Sequence, residues 1–423
     1  MISRSKNRTI LTVAEFENLG AGRENFGKCP EKTALNSEFF IQKETCKQTC
    51  PRTRLIGIRY RQNVLVCLMS IYFCTFAYTC RSSCLRKTTT GKNDTPIDSD
   101  MTSEHTNDFP YNDYGQWIRK RFPFRVQKIS IDAGFSCPNR DGHIGHGGCI
   151  YCDNRTFNPS YCGGQKNIRE QVEEGKKFFA RKYNDMKYIA YFQAYTNTYA
   201  PLDSLKHMYE EALSVDGVVG LAIGTRPDCM PDVLLDYLEE LNRQTFLIVE
   251  YGIETANNET LRRINRGHTF GCACETVART AARGILTGGH VILGLPGEDA
   301  AESIRQADII SAMQLNILKI HQMQIIRGTR LAELYAREPF HVYSVDEYID
   351  LICEYIQHLR PDLVLERFVS QSPKGMVVAP QWGLKNHEFT NLLVNRMRRD
   401  GIRQGAKQGA SDIWSDMSQT PPI

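Results

Sequence analysis

VQKISIDAGFSCPNRDGHIGHGGCIYC, residues 126–152, joins the two features on which the reading of this chain turns. Val126–Ile131 is a short apolar run with Val126, Ile129 and Ile131 in it, suited to a buried strand. It leads directly into a loop that carries Cys137, Cys149 and Cys152 in the spacing Cys-x11-Cys-x2-Cys. Gly142, Gly145, Gly147 and Gly148 lie between those cysteines and let the backbone close tightly around a guest. Three thiols on one glycine-rich loop, with no obvious fourth partner, point to a metal site with one position open. Three readings stand on the residues alone. Structural zinc wants four closed ligands, commonly two Cys-x2-Cys pairs; one such pair is present, and Cys162, His143 or His146 could complete a set. Plain buried cysteines are the second reading, although these seldom gather in a polar loop. The third, which the pattern favours, is a 4Fe–4S cluster on three cysteines with its fourth iron open to a ligand. Order in such a loop is expected to depend on its metal.

Outward from this loop the chain alternates. Apolar runs suited to parallel strands recur at Val126–Ile131, Tyr188–Phe192, Val218–Ile223, Phe246–Tyr251, His290–Leu293 and Ile317–Met323. Between them lie helical patterns at Ile168–Tyr183, Leu202–Leu213, Pro231–Asn242, Cys274–Arg283 and Asp299–Gln314. Strand and helix in turn argue for right-handed βαβ units and a parallel sheet. Polar and glycine-rich turns follow the strands, at 224–227, 294–297 and 327–329, where sheets of this class bind ligands. Six units suit a doubly wound sheet or an incomplete barrel, and periodicity does not choose. Ser344–Leu359 reads as a helix with capping-box spacing at Ser344 and Glu347 and a stop at Pro361. Leu363–Val369 reads as a strand and His387–Arg399 as a helix. The division that follows is a core at 114–340, a carboxyl-terminal α/β extension at 341–405 and a flexible tail at 406–423.

The 423 residues, 41% hydrophobic and 24% charged, exclude wholesale disorder and collagen-like repeats. The formal charge of +4 is uneven. Residues 1–100 hold 16 Lys and Arg against 9 Asp and Glu, a local +7, so the remaining 323 residues carry −3. Seven of the fifteen cysteines also precede Met101, in odd number and irregular spacing, which does not read as a secreted disulfide framework. Val64–Cys80 is an uncharged run of 17 residues, at the lower edge of what spans a bilayer. Residues 1–100 are otherwise expected to lack regular structure. We read them as upstream sequence, with Met101 as the start of the working protein, a cytoplasmic location and no membrane partner.

The motifs carry a resemblance. GFSCPNRDGHIGHGGCIYC, YFQAYTNT, GLAIGTRPDC, GIETANNETLRRINRGH, HVILGLPGE and the AP-x-W of residues 379–382 occur in order between Tyr114 and Gly405. Together they resemble the YhcC/YtqA-type proteins of the radical S-adenosylmethionine (SAM) superfamily, on the branch of the elongator catalytic subunit and the oxygen-independent coproporphyrinogen oxidases. The superfamily's common loop has three residues between its first two cysteines; eleven is a departure from it, and long spacings are typical of that branch. The resemblance implies an α/β fold, a partial (β/α)6 barrel with a carboxyl-terminal α/β extension. Its cofactors would be a 4Fe–4S cluster on Cys137, Cys149 and Cys152, and SAM on the open iron. Reductive cleavage of SAM would start radical chemistry on a substrate, with electrons from a donor such as flavodoxin or ferredoxin.

The same resemblance assigns the cofactor-binding residues. Gln193, Thr196 and Asn197 close the second strand, where the superfamily's Gly-Gly-Glu motif is absent from this chain. Thr225 and Arg226, with Asp228, end the third; Glu250 and Glu254 flank the fourth. A buried Glu250 needs a partner, and an ion pair with Arg226 or Arg266 is the plain alternative to a ligand. Gly294 and Pro296 fall in a segment that contacts adenine in the family, or form only a tight turn. Arg266, Gly267 and His268 could meet an anionic substrate group or cap a helix. Lys319 and His321 alternate on the sixth strand and can point into a barrel. Cys229 and Cys272 read as small buried hydrophobes, and Cys162 as incidental. No residue is assigned to catalysis. The elongator relation raises transfer RNA as substrate, at a wobble uridine, with Arg396, Arg398, Arg399, Arg403 and Lys407 as a phosphate-contacting edge. A small-molecule or cofactor-biosynthesis substrate is the alternative among enzymes, and a zinc-stabilised binding or scaffold protein the alternative outside them.

Overall fold

The computed structural model describes residues 40–44, 55–59, 65–66, 109–156, 158–180 and 186–408. Seven strands form one parallel sheet: Arg125–Ile131 (β1), Met186–Phe192 (β2), Val218–Thr225 (β3), Phe246–Glu254 (β4), Leu286–Leu293 (β5), Ile317–Gln322 (β6) and, beyond the short Ile325–Ile326 (β7), Val364–Arg367 (β8). Their spatial order is β8-β6-β5-β4-β3-β2-β1. The sheet is curled into a half-barrel: Lys128 on one edge strand and Glu366 on the other meet at 2.7 Å.

Alternation along the strands separates two faces. Ile129, Ile131, Ala190, Phe192, Leu221, Ile223, Leu247 and Val249 point outward into the main core. There they meet the apolar stripes of Ile168–Ala180 (α2), Leu202–Leu213 (α3) and Asp232–Gln244 (α4), and those of Phe270–Ala281 (α6) and Ala300–Ala312 (α7). The short Asn258–Arg263 (α5) lies between β4 and α6. The inward face is layered along the barrel axis. Ile189, Ala222, Ile248, Ile317 and Val364 make an apolar floor, plugged by Ile118 of Tyr114–Arg121 (α1) with Trp117 and Phe122 against it. Two residues further along the strands the layer is charged: Lys128, Tyr191, Glu250, Lys319 and Glu366. Two further again come Ser130, Gln193, Gly252, His290 and His321, at the carboxyl ends of the strands.

Sequence and structure part at three places. β5 begins at Leu286 rather than at His290, because Gly288 and Gly289 weaken the strand signal. Gly288 is required there: a Cβ would sit 2.9 Å from Cγ of Glu250 on the neighbouring strand. The expected strand Leu363–Val369 exists as β8, but it joins the barrel sheet beside β6, so the proposed boundary at 340/341 cuts a single sheet. Val345–His358 (α9), capped by the Ser344–Glu347 box that the spacing predicts, is the crossover that brings β8 there. A bare β6 would expose a row of unpaired backbone groups, which β8 satisfies. Beyond it, Val377–Ala379 (β9) pairs antiparallel with β7, and Arg330–Arg337 (α8) and Asn386–Arg399 (α10) complete the chain. Trp382 of the AP-x-W motif ties these last elements together. Its Nε1 donates to Tyr343 O at 3.0 Å and its ring stacks on Phe389.

The third difference is at the termini. Lys407, assigned to the tail, pairs with Glu354 at 2.6 Å; residues 409–423 lie outside the described residues. Phe40–Glu44, Leu55–Arg59 and Leu65–Val66 form an antiparallel three-stranded ribbon, where no regular structure was expected from such short runs. That ribbon belongs to a separate unit, Met1–Thr102. Nearly all of the apolar run 64–80 lies outside the described residues. Among the described residues no helix is long and apolar enough to cross a membrane.

Candidate active site

At the carboxyl ends of the strands lies a cavity of about 200 Å³, on a measure by which one water needs ~10–15 Å³. Cys137, Cys149 and Cys152 all line it. The loop that bears them is held by the protein itself: Ile144 N donates to Pro138 O at 2.8 Å and Gly148 N to Asn139 O at 2.8 Å. Asn265, following α5, clamps it from outside, donating through Nδ2 to Gly148 O at 2.8 Å and accepting at its carbonyl from Asn139. Ile150 N bonds Ile264 O, and Leu331 N bonds Ile150 O. The expected dependence of loop order on metal therefore acts on a segment that already has a frame.

Cys149 is buried, and Arg266 donates to its sulfur from Nη1 at 3.6 Å. Arg266 is fixed in turn by Gly252 O at 2.7 Å and by Glu254 at 3.3 Å. At Gly252 a Cβ would lie 2.6 Å from both the Arg266 guanidinium and the Glu254 carboxylate, so any side chain there would displace that pair. Burial pushes the Cys152 thiol up to about 11, so its thiolate calls for a strong positive partner. Among the described residues no three His, Cys, Asp or Glu side chains close around a single ion. Zinc would draw its sulfurs to within about 4 Å of one another, whereas a cluster takes each thiolate on a different iron.

The cavity wall is unusual in what it leaves unpaired. Nine buried side-chain polar atoms lack a partner among the described residues, and six belong to lining residues: Asn154, Thr196, Arg226, Arg266, His321 and Arg367. Among the described residues three non-glycine residues have positive φ: Tyr195 (60°) and Glu254 (71°) on this wall and Asn265 (54°) at the clamp on the cysteine loop. Such backbone strain, about 1–3 kcal/mol each, persists where the surroundings impose it, commonly at active sites.

Of the residues singled out from sequence, Gln193, Thr196, Thr225, Arg226, Glu250 and Glu254 join the three cysteines on the wall. Asn197 stands behind it, donating to Gly224 O at 2.7 Å. Gly294 and Pro296 are not on it: Gly294 faces Tyr343, and Pro296 O accepts from Arg263. The partners of Glu250 are not Arg226 or Arg266, which bind Asp228 and Glu254. Glu250 instead meets Lys128 at 2.8 Å, Lys319 at 2.6 Å and His290 at 3.0 Å. Burial opposes its charge, yet the two ammonium groups hold its carboxyl well below the usual range. His268 is buried and bonds Gly252 O, while Cys162 bonds Gln171 away from the cavity. Lys128, His290, Tyr191 and Arg367 were missed. A lone lysine at an inward position of an apolar strand was the available signal for Lys128; Arg367 offered none.

A curled parallel sheet with a three-cysteine loop after its first strand defines an enzyme class, and the sequence comparisons agree with it. Residues 141–306 match the Radical SAM superfamily and 315–399 the Radical_SAM C-terminal domain. The chain belongs to the radical SAM superfamily, in its YhcC/YtqA type, and is a radical SAM enzyme. It is 34% identical over 307 residues to the uncharacterized protein YtqA of Bacillus subtilis, covering 71% of this chain and 95% of YtqA. It is 26% identical over 188 residues to the tRNA uridine(34) acetyltransferase of Methanocaldococcus jannaschii, covering 44% of this chain and 34% of that protein. Among solved structures, the archaeal Methanocaldococcus infernus Elp3 with an N-terminal deletion aligns at a TM-score of 0.49 and 18% identity, over 66% of this chain and 64% of that one.

Arg266→Gln removes the guanidinium at Cys149 and leaves Glu254 without its cation. Loss of such a supporting contact weakens metal retention about 10–100-fold. Iron release to a chelator, followed in wild type and variant, measures it.

Proposed function

We propose that Cys137, Cys149 and Cys152 hold a 4Fe–4S cluster with SAM at its open iron, and that the enzyme starts radical chemistry on its substrate from there. Held by those cysteines, the cluster would supply one-electron reductive cleavage of bound SAM, the source of the radical chemistry. The observation that carries this reading is the convergence of three loop cysteines and six unpartnered polar side chains on one cavity. In it, Arg266 and Arg140 steady the loop, Arg140 by donating to Cys152 O at 2.7 Å. Thr196 and the free Nη1 of Arg226 offer donors to an amino-acid carboxylate, with Gln193, Thr225 and Glu254 beside them. A low-potential donor such as flavodoxin or ferredoxin would supply the electron.

Transfer RNA modified at a wobble uridine is the substrate reading that the name of the acetyltransferase relative supports. The basic edge put forward for it is largely neutralised within the protein: Arg396 pairs with Asp350 at 2.8 Å and Arg399 with Asp400 at 2.7 Å. Lys407 pairs with Glu354. Anaerobic purification followed by reduction in the presence of SAM tests the main reading. A brown protein with about four irons per chain that forms 5′-deoxyadenosine is expected. A colourless protein with stoichiometric zinc, unchanged by reconstitution, would overturn it. Nucleoside profiling of a deletion strain decides the transfer RNA reading.

A further inference from the structure

Four arginines line the cavity, Arg140, Arg226, Arg266 and Arg367. Arg226 is matched by Asp228 and Arg266 by Glu254. Arg140 is spent on the cysteine loop. Lys128 and Lys319, beneath the cavity, share Glu250 and Glu366. Arg367 is left over. It forms no ion pair among the described residues, and its Nε is buried without a hydrogen-bond partner there. Its charge reaches Lys319, His290 and His321, disfavouring protonation of each.

Arg367 is aimed into the cavity by a specific irregularity. Where β8 pairs with β6, the register slips between Leu365 and Arg367, so that Leu365 faces Leu318 and Arg367 faces Lys319. Strict alternation would send Glu366 and Arg367 to opposite faces. The bulge turns both inward, Glu366 down to Lys128 and Arg367 up to the cavity, a use of bulges common beside active sites. Beside it His321, 8% exposed, has an unpartnered Nε2, while its Nδ1 bonds the Ser370 hydroxyl. Burial keeps the ring neutral, and in the tautomer whose Nδ1 accepts from the Ser370 hydroxyl the proton sits on Nε2, a donor for the same cavity. The ring is held by stacking on His290, centroids 5.2 Å apart.

We propose that Arg367 and His321 bind an anionic oxygen group of the substrate, a carboxylate or a phosphate, at a subsite distinct from the residues assigned to SAM. A guanidinium and an N–H donor on the wall of one cavity suit such a group. The proposal rests on the cavity being the reaction chamber and names the substrate's chemical class.

The test uses the full chain, reconstituted anaerobically and saturated with SAM, titrated calorimetrically with inorganic phosphate and, separately, with acetate. One of the two is expected to bind. Arg367→Gln should weaken that binding about 10–100-fold, with Arg367→Lys between, and Arg243→Gln, on the exposed face of α4, without effect. Far-UV circular dichroism establishes that the variants fold. Equal affinity in wild type and Arg367→Gln overturns the proposal, as does binding of neither anion. Binding seen only when SAM is absent also overturns it, because the anion would then be occupying the place of the SAM carboxylate. Iron content and SAM affinity, read on the same samples, separate the two readings: Arg367-dependent anion binding in a protein that takes up no iron would keep the subsite and remove the cluster.

Discussion

Glu250→Gln is expected to lower the stability of the barrel by about 3–5 kcal/mol, the cost of breaking a buried ion pair by removing one partner. Glu250 has no exposed side-chain surface, and both oxygens are engaged, one by Lys128 and the other by Lys319 and His290. The amide keeps the shape that Gly288 makes room for but brings no charge, so two ammonium groups are left sharing Glu366 alone. Burial already pulls Lys319 down to about 8, so it is the group that gives way. The variant therefore has a pH signature. Losing Glu250 lowers the folded-state value of Lys319 further below its unfolded one, and the deficit shrinks as pH rises and that lysine sheds its proton. On the acid side the sign is opposite for the wild type. The Glu250 carboxyl is held well below its unfolded value, so its contribution is full above the ordinary carboxylate range and is lost as pH falls from there through the lowered folded-state value. Urea unfolding of both proteins from acid to mildly alkaline pH measures both limbs. A variant as stable as wild type at neutral pH would show that the charged layer carries no net stability.

Cys149→Ala is expected to abolish iron binding and reduce 5′-deoxyadenosine formation to background. Cys149 is the most enclosed of the three cysteines, with Arg266 and Asn139 both directed at its sulfur. Removing it takes one of three anchors and leaves the Arg266 guanidinium held by Glu254 and Gly252 O alone. Cys162→Ala is the informative companion, because Cys162 bonds Gln171 and does not line the cavity. It should keep its iron. If Cys162→Ala strips the metal as thoroughly as Cys149→Ala does, the site is a closed four-ligand one and the cluster assignment fails. Iron analysis and SAM cleavage under reducing conditions read both variants.

The barrel was legible because its strands are buried on the outer face by helices and filled on the inner one, so each reads as a short apolar run at regular spacing. β1, β2, β3, β4 and β6 stand where those runs are, while β5 was shortened by the two glycines that accommodate Glu250 and Leu315. Site residues next to a strand end were legible for the same reason, since chain position alone puts Thr225, Arg226 and Glu254 at the mouth. Gly294 and Pro296 lie off that wall, because the segment after β5 turns toward Tyr343.

The sequence by itself determined the βα alternation, the loop that brings three cysteines to the end of β1, and the family those residues resemble. These are local properties, set by period, spacing and turn chemistry within a few dozen residues. Tertiary structure alone decided which charges meet. Lys128, Glu250, Lys319 and Glu366 are up to 238 residues apart and become neighbours only when the sheet curls and its edge strands face each other. It also decided that Arg367 points inward, because a one-residue slip in strand register exchanges the faces of every side chain beyond it. Nothing in a strand's own sequence reveals such a slip.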